Sequence, residues 1–124
     1  MSTYSLDELR SEIERKYAPV SIELNEYEKV VLRNLLRLPR RDRADVFVLM
    51  DALDALDNSD ADRGADYLQE AADLAAQVLI LVADSRHLGE KLIALIGDDL
   101  ALTLRIFEDW MKATQPGEAE SSLS

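Results

Sequence analysis

The 124-residue chain contains no cysteine, a single histidine and only four glycines. The absence of cysteine excludes disulfide frameworks, thiolate zinc sites and cysteine nucleophiles. The glycines stand singly at positions 64, 89, 97 and 117, so no glycine-rich phosphate-binding fingerprint occurs. His87 has no partner at metal-binding or acid–base spacing, which favours a capping or surface role for it. The sequence therefore predicts a protein that is not an enzyme and that uses no metal and no cofactor.

Long hydrophobic runs are also lacking. The longest run, Val78–Ala83, is far shorter than the roughly 20 residues that a membrane span needs. The N-terminus lacks the basic and apolar regions of a secretory signal. The length suits one domain, and 48% apolar with 31% charged residues is typical of a folded chain. We therefore expect a cytoplasmic protein with no membrane partner.

Basic residues are too few to balance the acidic ones. The chain has 14 Lys and Arg against 25 Asp and Glu, which gives a net charge of −11. Residues 1–45 are neutral as a group, so the whole acidic surplus lies in residues 46–124. A surface of that sign repels nucleic acid, and it suits a basic or aggregation-prone partner.

Helical periodicity dominates the sequence, with one exception near the N-terminus. Ser5 and Glu8 have the spacing of a helix capping box. Val20, Ile22 and Leu24 then alternate with polar residues, which predicts a strand with one solvated face. Residues 29–33 supply the return strand. The pattern therefore predicts a β-hairpin over about residues 19–34.

Helical patterns fill the rest of the chain. One helix follows Pro39, a long one spans about residues 61–85, and a corner at His87–Gly89 precedes a short helix over residues 90–96. A last helix follows Asp98 or Asp99. We expect a mainly α protein, a small bundle of four to five helices with the hairpin, in a single domain over residues 1–112. Residues 113–124, which are small, polar and acidic, are expected to form a disordered tail.

Two helices carry more apolar residues than one narrow stripe needs. The segment from Val78 to Ala83 is apolar all round, so it is either central in the bundle or covered by a partner. Trp110 is either a lid on the core or a binding anchor. The partner hypothesis places a binding surface on these residues: Val78, Leu79, Leu81, Val82, Phe107, Trp110 and Met111.

Five arginines fall within eleven residues, between Arg33 and Arg43. A nucleic-acid or anion patch is one interpretation. The alternative is that the arginines neutralise acidic helical faces, and the overall charge favours it. We predict that four of them pair with acidic faces of the same or an adjacent copy and bind no nucleic acid: Arg37, Arg40, Arg41 and Arg43.

Taken together, the segments resemble the tail assembly chaperones of long-tailed bacteriophages, particularly those of actinobacterial hosts. The resemblance rests on Val20–Leu24, on Val30–Pro39 and on the arginine-rich helix start at Arg40, Arg41 and Arg43. An acidic helical remainder and a short polar tail follow. The resemblance covers most of the chain, but its motifs are patterns of residue class.

The resemblance implies a chaperone that binds the tape measure protein and keeps it soluble during tail morphogenesis. It also implies residence in the host cytoplasm, absence from the mature virion, and a short and a longer form made by programmed frameshifting. The longer form and a homo-oligomer are then further partners. Gly117–Glu118 is the candidate slippery site. A helical adaptor, either head–tail connector-like or regulatory, and a nucleic-acid binder acting through Arg33–Arg43 are the alternative functions.

Overall fold

A computed structural model of the protein describes residues 3–57 and 65–114. These residues form five α-helices and one antiparallel hairpin, which confirms the predicted mainly helical class with a hairpin near the N-terminus. A single 3-10 turn, Leu35–Arg37, follows the hairpin. The other elements are, in chain order, α1 (Leu6–Lys16), β1 (Val20–Glu23), β2 (Lys29–Leu32), α2 (Arg40–Asp57), α3 (Ala65–Val82), α4 (Arg86–Ile96) and α5 (Leu100–Thr114).

The hairpin turns without a glycine because Asn25 caps the turn with its side chain. Its Oδ1 accepts hydrogen bonds from the backbone N–H groups of Tyr27 (2.8 Å) and Glu28 (2.9 Å), which is an Asx turn. An ion pair between Glu28 and Lys91 fastens the turn to α4. The hydrogen bond from Lys91, supported by one from Asn25, lowers the pKa of Glu28.

The hairpin is joined to the bundle where α3 ends. The N–H of Arg33 donates to the Val82 carbonyl (2.9 Å), and the N–H of Asp84 donates to the Val31 carbonyl (2.8 Å). These bonds fix the chain direction just after α3, so the helix stops there. α4 then starts at Arg86, with Ser85 as its N-cap.

The predicted corner at His87–Gly89 is therefore wrong. The break between the helices lies at residues 83–85, and Gly89 is a buried residue within α4. A glycine in a helical pattern often marks a break, whereas Gly89 lets α4 approach α3. A Cβ on Gly89 would lie 2.9 Å from the Cβ of Ala83.

Gly97 and the acidic cap of α5 follow the sequence pattern. Gly97 ends α4 with φ +65°, and the Oδ1 of Asp99 accepts from the N–H of Leu102 (3.1 Å) to open α5. α5 continues to Thr114, two residues beyond the predicted boundary at residue 112. The expected start of the long helix near residue 61, and the expected tail from residue 115 onward, lie outside the described residues.

The core lies between the hairpin and helices α2 to α5, with α3 in contact with α2, α4 and α5. Its largest fully buried apolar side chains include Trp110, Leu32, Leu79, Val30 and Val46. α1 contributes nothing to the core, because none of its residues is buried. Among the described residues, no helix is long and apolar enough to cross a membrane.

Candidate partner-binding surface

Four of the seven residues predicted to bind a partner are core residues. Val78, Leu79, Val82 and Trp110 are each 0% exposed. The physical reason is the central position of α3, which packs against three other helices and therefore needs apolar residues all round. In this folded state these four side chains offer no surface to a partner, and the predicted surface is corrected accordingly.

The indole of Trp110 is held from two sides. Its N–H donates to the Arg33 carbonyl at 2.8 Å, and its ring packs against Phe107 with centroids 5.9 Å apart. A buried tryptophan needs such a partner for its N–H. Trp110 thus ties α5 to the segment that follows β2.

The remaining three predicted residues, Leu81, Phe107 and Met111, are only half-buried. Leu81 lines a separate cavity of about 580 Å³ beside Arg33 and Asp84. Phe107 and Met111 line an open groove of about 390 Å³ between α2, α3 and α5. We call this the α2–α5 groove; its larger apolar lining residues include Met50, Leu53, Leu68, Leu104, Phe107 and Met111.

The α2–α5 groove has acidic edges. Asp54 and Asp57 line it, and Asp57 accepts a hydrogen bond from the hydroxyl of Tyr67. Beyond Arg43, the described residues of α2 and α3 include no lysine or arginine. Their acidic residues are Asp45, Asp51, Asp54, Asp57, Asp66, Glu70 and Asp73. The groove therefore combines apolar walls with the carboxylates of Asp54 and Asp57, which attract cationic groups.

The arginine cluster divides into two parts with different roles. Arg33 is not part of a surface patch, because its Nε and Nη2 atoms donate to the carbonyls of Val82 and Leu81, both at 3.0 Å. Its Nη2 also lies 3.6 Å from Asp42. A guanidinium at this place satisfies carbonyls left free at the C-terminus of α3 and opposes its dipole. Sequence reasoning missed this role, since the contacts span 48 and 49 residues.

The other four arginines remain on the surface. Arg37, Arg40 and Arg41 are exposed and Arg43 is half-exposed. Within residues 3–57 and 65–114, none of them lies within 4.0 Å of a carboxylate. The predicted pairing inside one chain is thus wrong for the described residues, whereas pairing with an adjacent copy stays a prediction.

No group of three or more metal-ligating side chains lies together in the described part of the chain. The described residues form a small helical bundle with an apolar groove between α2, α3 and α5 that has acidic residues at its edge. The chain belongs to the mycobacteriophage tail assembly protein family, which matches residues 1–119. It therefore has a role in phage tail assembly.

Two relatives come from Mycobacterium phage L5. The chain is 30% identical over 133 residues to its tail assembly protein Gp24, covering 99% of this chain and 98% of that protein. It is 29% identical over 126 residues to the tail assembly protein Gp25, covering 94% of this chain but only 45% of that protein. No solved structure has significant similarity to the chain.

Proposed function

We propose that the protein is a tail assembly chaperone that binds the tape measure protein and keeps it soluble during tail morphogenesis. The observation that carries the proposal is the α2–α5 groove, to which three helices contribute apolar side chains that remain partly open to solvent. The proposal includes a non-catalytic role in the host cytoplasm and absence of the protein from the finished virion.

A groove of this kind suits an amphipathic helical segment of a client. Apolar anchors at successive helical turns fit between α2, α3 and α5, while the acidic edges face basic residues beside those anchors. The net charge of −11 keeps the complex dispersed while the apolar surface of the client is covered. One acidic domain can thus hold an aggregation-prone chain in solution.

A charge at the edge of the groove tests this proposal. Leu68 lines the groove and is 44% exposed, so Leu68→Lys places an ammonium group in the contact without disturbing a buried residue. We expect at least a tenfold weaker capture of tape measure fragments, about 1.4 kcal/mol. The measurement is the soluble fraction of co-expressed fragments, followed by titration of those that stay soluble.

Leu95→Lys is the matched control, because Leu95 is 59% exposed on α4 and does not line the groove. It is expected to keep fragments soluble as well as the wild type does. Equal losses in the two variants would contradict binding at the α2–α5 groove. A wild-type protein that captures no fragment, but associates with another tail or head component, would favour the adaptor hypothesis instead.

We further propose that the chain is the short product of a frameshifting pair. The similarity to Gp25 supports this, since the matched region covers less than half of that longer protein. Gly117–Glu118, outside the described residues, remains the candidate site, because a change of frame there follows the last described helix.

The coding sequence tests the frameshift proposal directly. We expect a heptameric slippery run that includes codons 117 and 118, and an overlapping −1 frame that continues without its own start codon. The longer product then carries this domain with a second module attached, which raises the local concentration of that module at the client. Codons that cannot slip, or a −1 frame that closes within a few residues, would contradict this pair.

A further inference from the structure

α2 has a face that points away from the core and is apolar except for Asp51. Ala44, Val48, Asp51 and Ala55 recur at the spacing of one helical face and are all exposed. Phe47 stands beside them, and it and Val48 are 47% and 67% exposed. We call these five residues the outer face of α2. Nothing in the described part of the chain covers it.

The outer face is separate from the α2–α5 groove. α2 contributes Met50 and Leu53 to the groove, and Val46 on the same side of the helix is fully buried. The positions of the outer face lie about half a turn away from these residues. A partner on the outer face therefore leaves the groove open.

The charges of α2 run against its dipole. Arg40, Arg41 and Arg43 stand in and beside its first turn, where the partial charge of a helix is already positive. The one acidic residue of that turn, Asp42, lies 3.6 Å from Arg33. Asp54 and Asp57 stand near the other end of α2, and its last turn has no basic residue. This arrangement of charges destabilises a helix in isolation. The arginines and aspartates of α2 therefore do not serve to stabilise α2 itself.

We propose that a second copy of this chain packs on the outer face, with the two α2 helices antiparallel. The two-fold axis then crosses the outer face at the level of residue 46 along the helix. In this arrangement Ala44 of each copy packs on Val48 of the other. Arg41 of each copy then faces Asp51 of the other. A two-fold interface must be self-complementary, and the opposed charges of α2 meet that requirement.

The order of the charges favours a second copy over other occupants. The exposed Arg41 stands one turn before Ala44 and Asp51 lies beyond the middle of the face, so an antiparallel copy satisfies both signs at once. A nucleic acid would engage only the arginines, and it would meet a chain with a net charge of −11. A dimer of this kind carries two free α2–α5 grooves, which act together on one long client.

A charge exchange tests the interface. In low salt, we expect the wild-type protein to sediment at about twice the mass of the 13.9 kDa chain. Arg41→Asp and Asp51→Arg each oppose like charges, so each is expected to weaken the dimer at least tenfold. The double variant restores opposite charges and is expected to recover the dimer. Added salt is expected to weaken the wild-type dimer, because exposed charges are screened.

Arg10→Asp is the matched control, since Arg10 is an exposed arginine on α1 and its replacement makes the same change in charge. Thermal unfolding of each variant verifies that it is folded. A monomeric wild type, single variants that dimerise normally, or a double variant no better than the single ones would each overturn the proposal. The proposal would also be overturned by an Arg41→Asp variant that keeps the mass of the dimer but no longer binds nucleic acid or tape measure fragments.

Discussion

Replacing Trp110 with alanine is expected to lower the free energy of unfolding by about 3–5 kcal/mol, the usual cost of deleting a large buried aromatic side chain. Trp110 is 0% exposed and contacts Phe107, so the deletion leaves a cavity beside α5. Loss of the indole N–H also leaves the Arg33 carbonyl without its hydrogen-bond donor. Denaturant titration followed by circular dichroism measures the loss.

Trp110→Phe separates the two contributions. It keeps much of the ring volume but removes the donor to the Arg33 carbonyl, so we expect a smaller loss of about 1–3 kcal/mol. A loss below about 1 kcal/mol for Trp110→Ala would contradict the burial of this side chain. The same result, together with loss of fragment capture, would support the earlier hypothesis that Trp110 is a binding anchor.

Local patterns predicted the elements well because the signals that define them are local. The alternation of Val20, Ile22 and Leu24 predicts the first strand of the hairpin, and the side chain of Asn25 caps its turn. Val78 and Val82 cannot be assigned to the core or to a docking surface from local periodicity. A segment that is apolar all round has no periodicity to separate a buried face from a docking face, and only the packing of α3 against three helices decides it.

Long-range contacts were the part that sequence could not supply. In the sequence Arg33 belongs to the arginine cluster, yet its guanidinium donates to the backbone carbonyls of Leu81 and Val82. Asn34 is likewise buried, and its side-chain amide donates to the carbonyl of Ala113 at 2.9 Å. These two residues join the ends of α3 and α5 to β2. Phe107 and Met111 are half-buried and line the α2–α5 groove, so their role in partner binding stays a prediction, whereas the contribution of α2 to that groove was missed.

Gly89→Ala is expected to destabilise the protein by about 1–3 kcal/mol, the range for overpacking a close contact. In an exposed helix the same change would stabilise by up to about 1 kcal/mol. Here the added Cβ would lie 2.9 Å from the Cβ of Ala83 and 3.1 Å from the Cα of Ile80. Neither atom yields easily, because Ile80 presents backbone and Ala83 forms a bridge with Leu32. The steric clash therefore makes the change destabilising, and thermal and denaturant unfolding measure the change in the free energy of unfolding.

Two further variants identify the clash as the cause. Ala83→Gly removes the nearest atom, so its combination with Gly89→Ala is expected to cost less than the sum of the two single changes. Gly97→Ala acts differently, since a Cβ there meets nothing within 4 Å but φ is +65°. Its expected loss of stability, about 1–2 kcal/mol, comes from the backbone alone. This loss is expected to add independently to that of Gly89→Ala. A Gly89→Ala variant more stable than the wild type would show that α3 and α4 do not approach this closely. The packing that orients Ser85 and α4 beneath the hairpin would then need a different explanation.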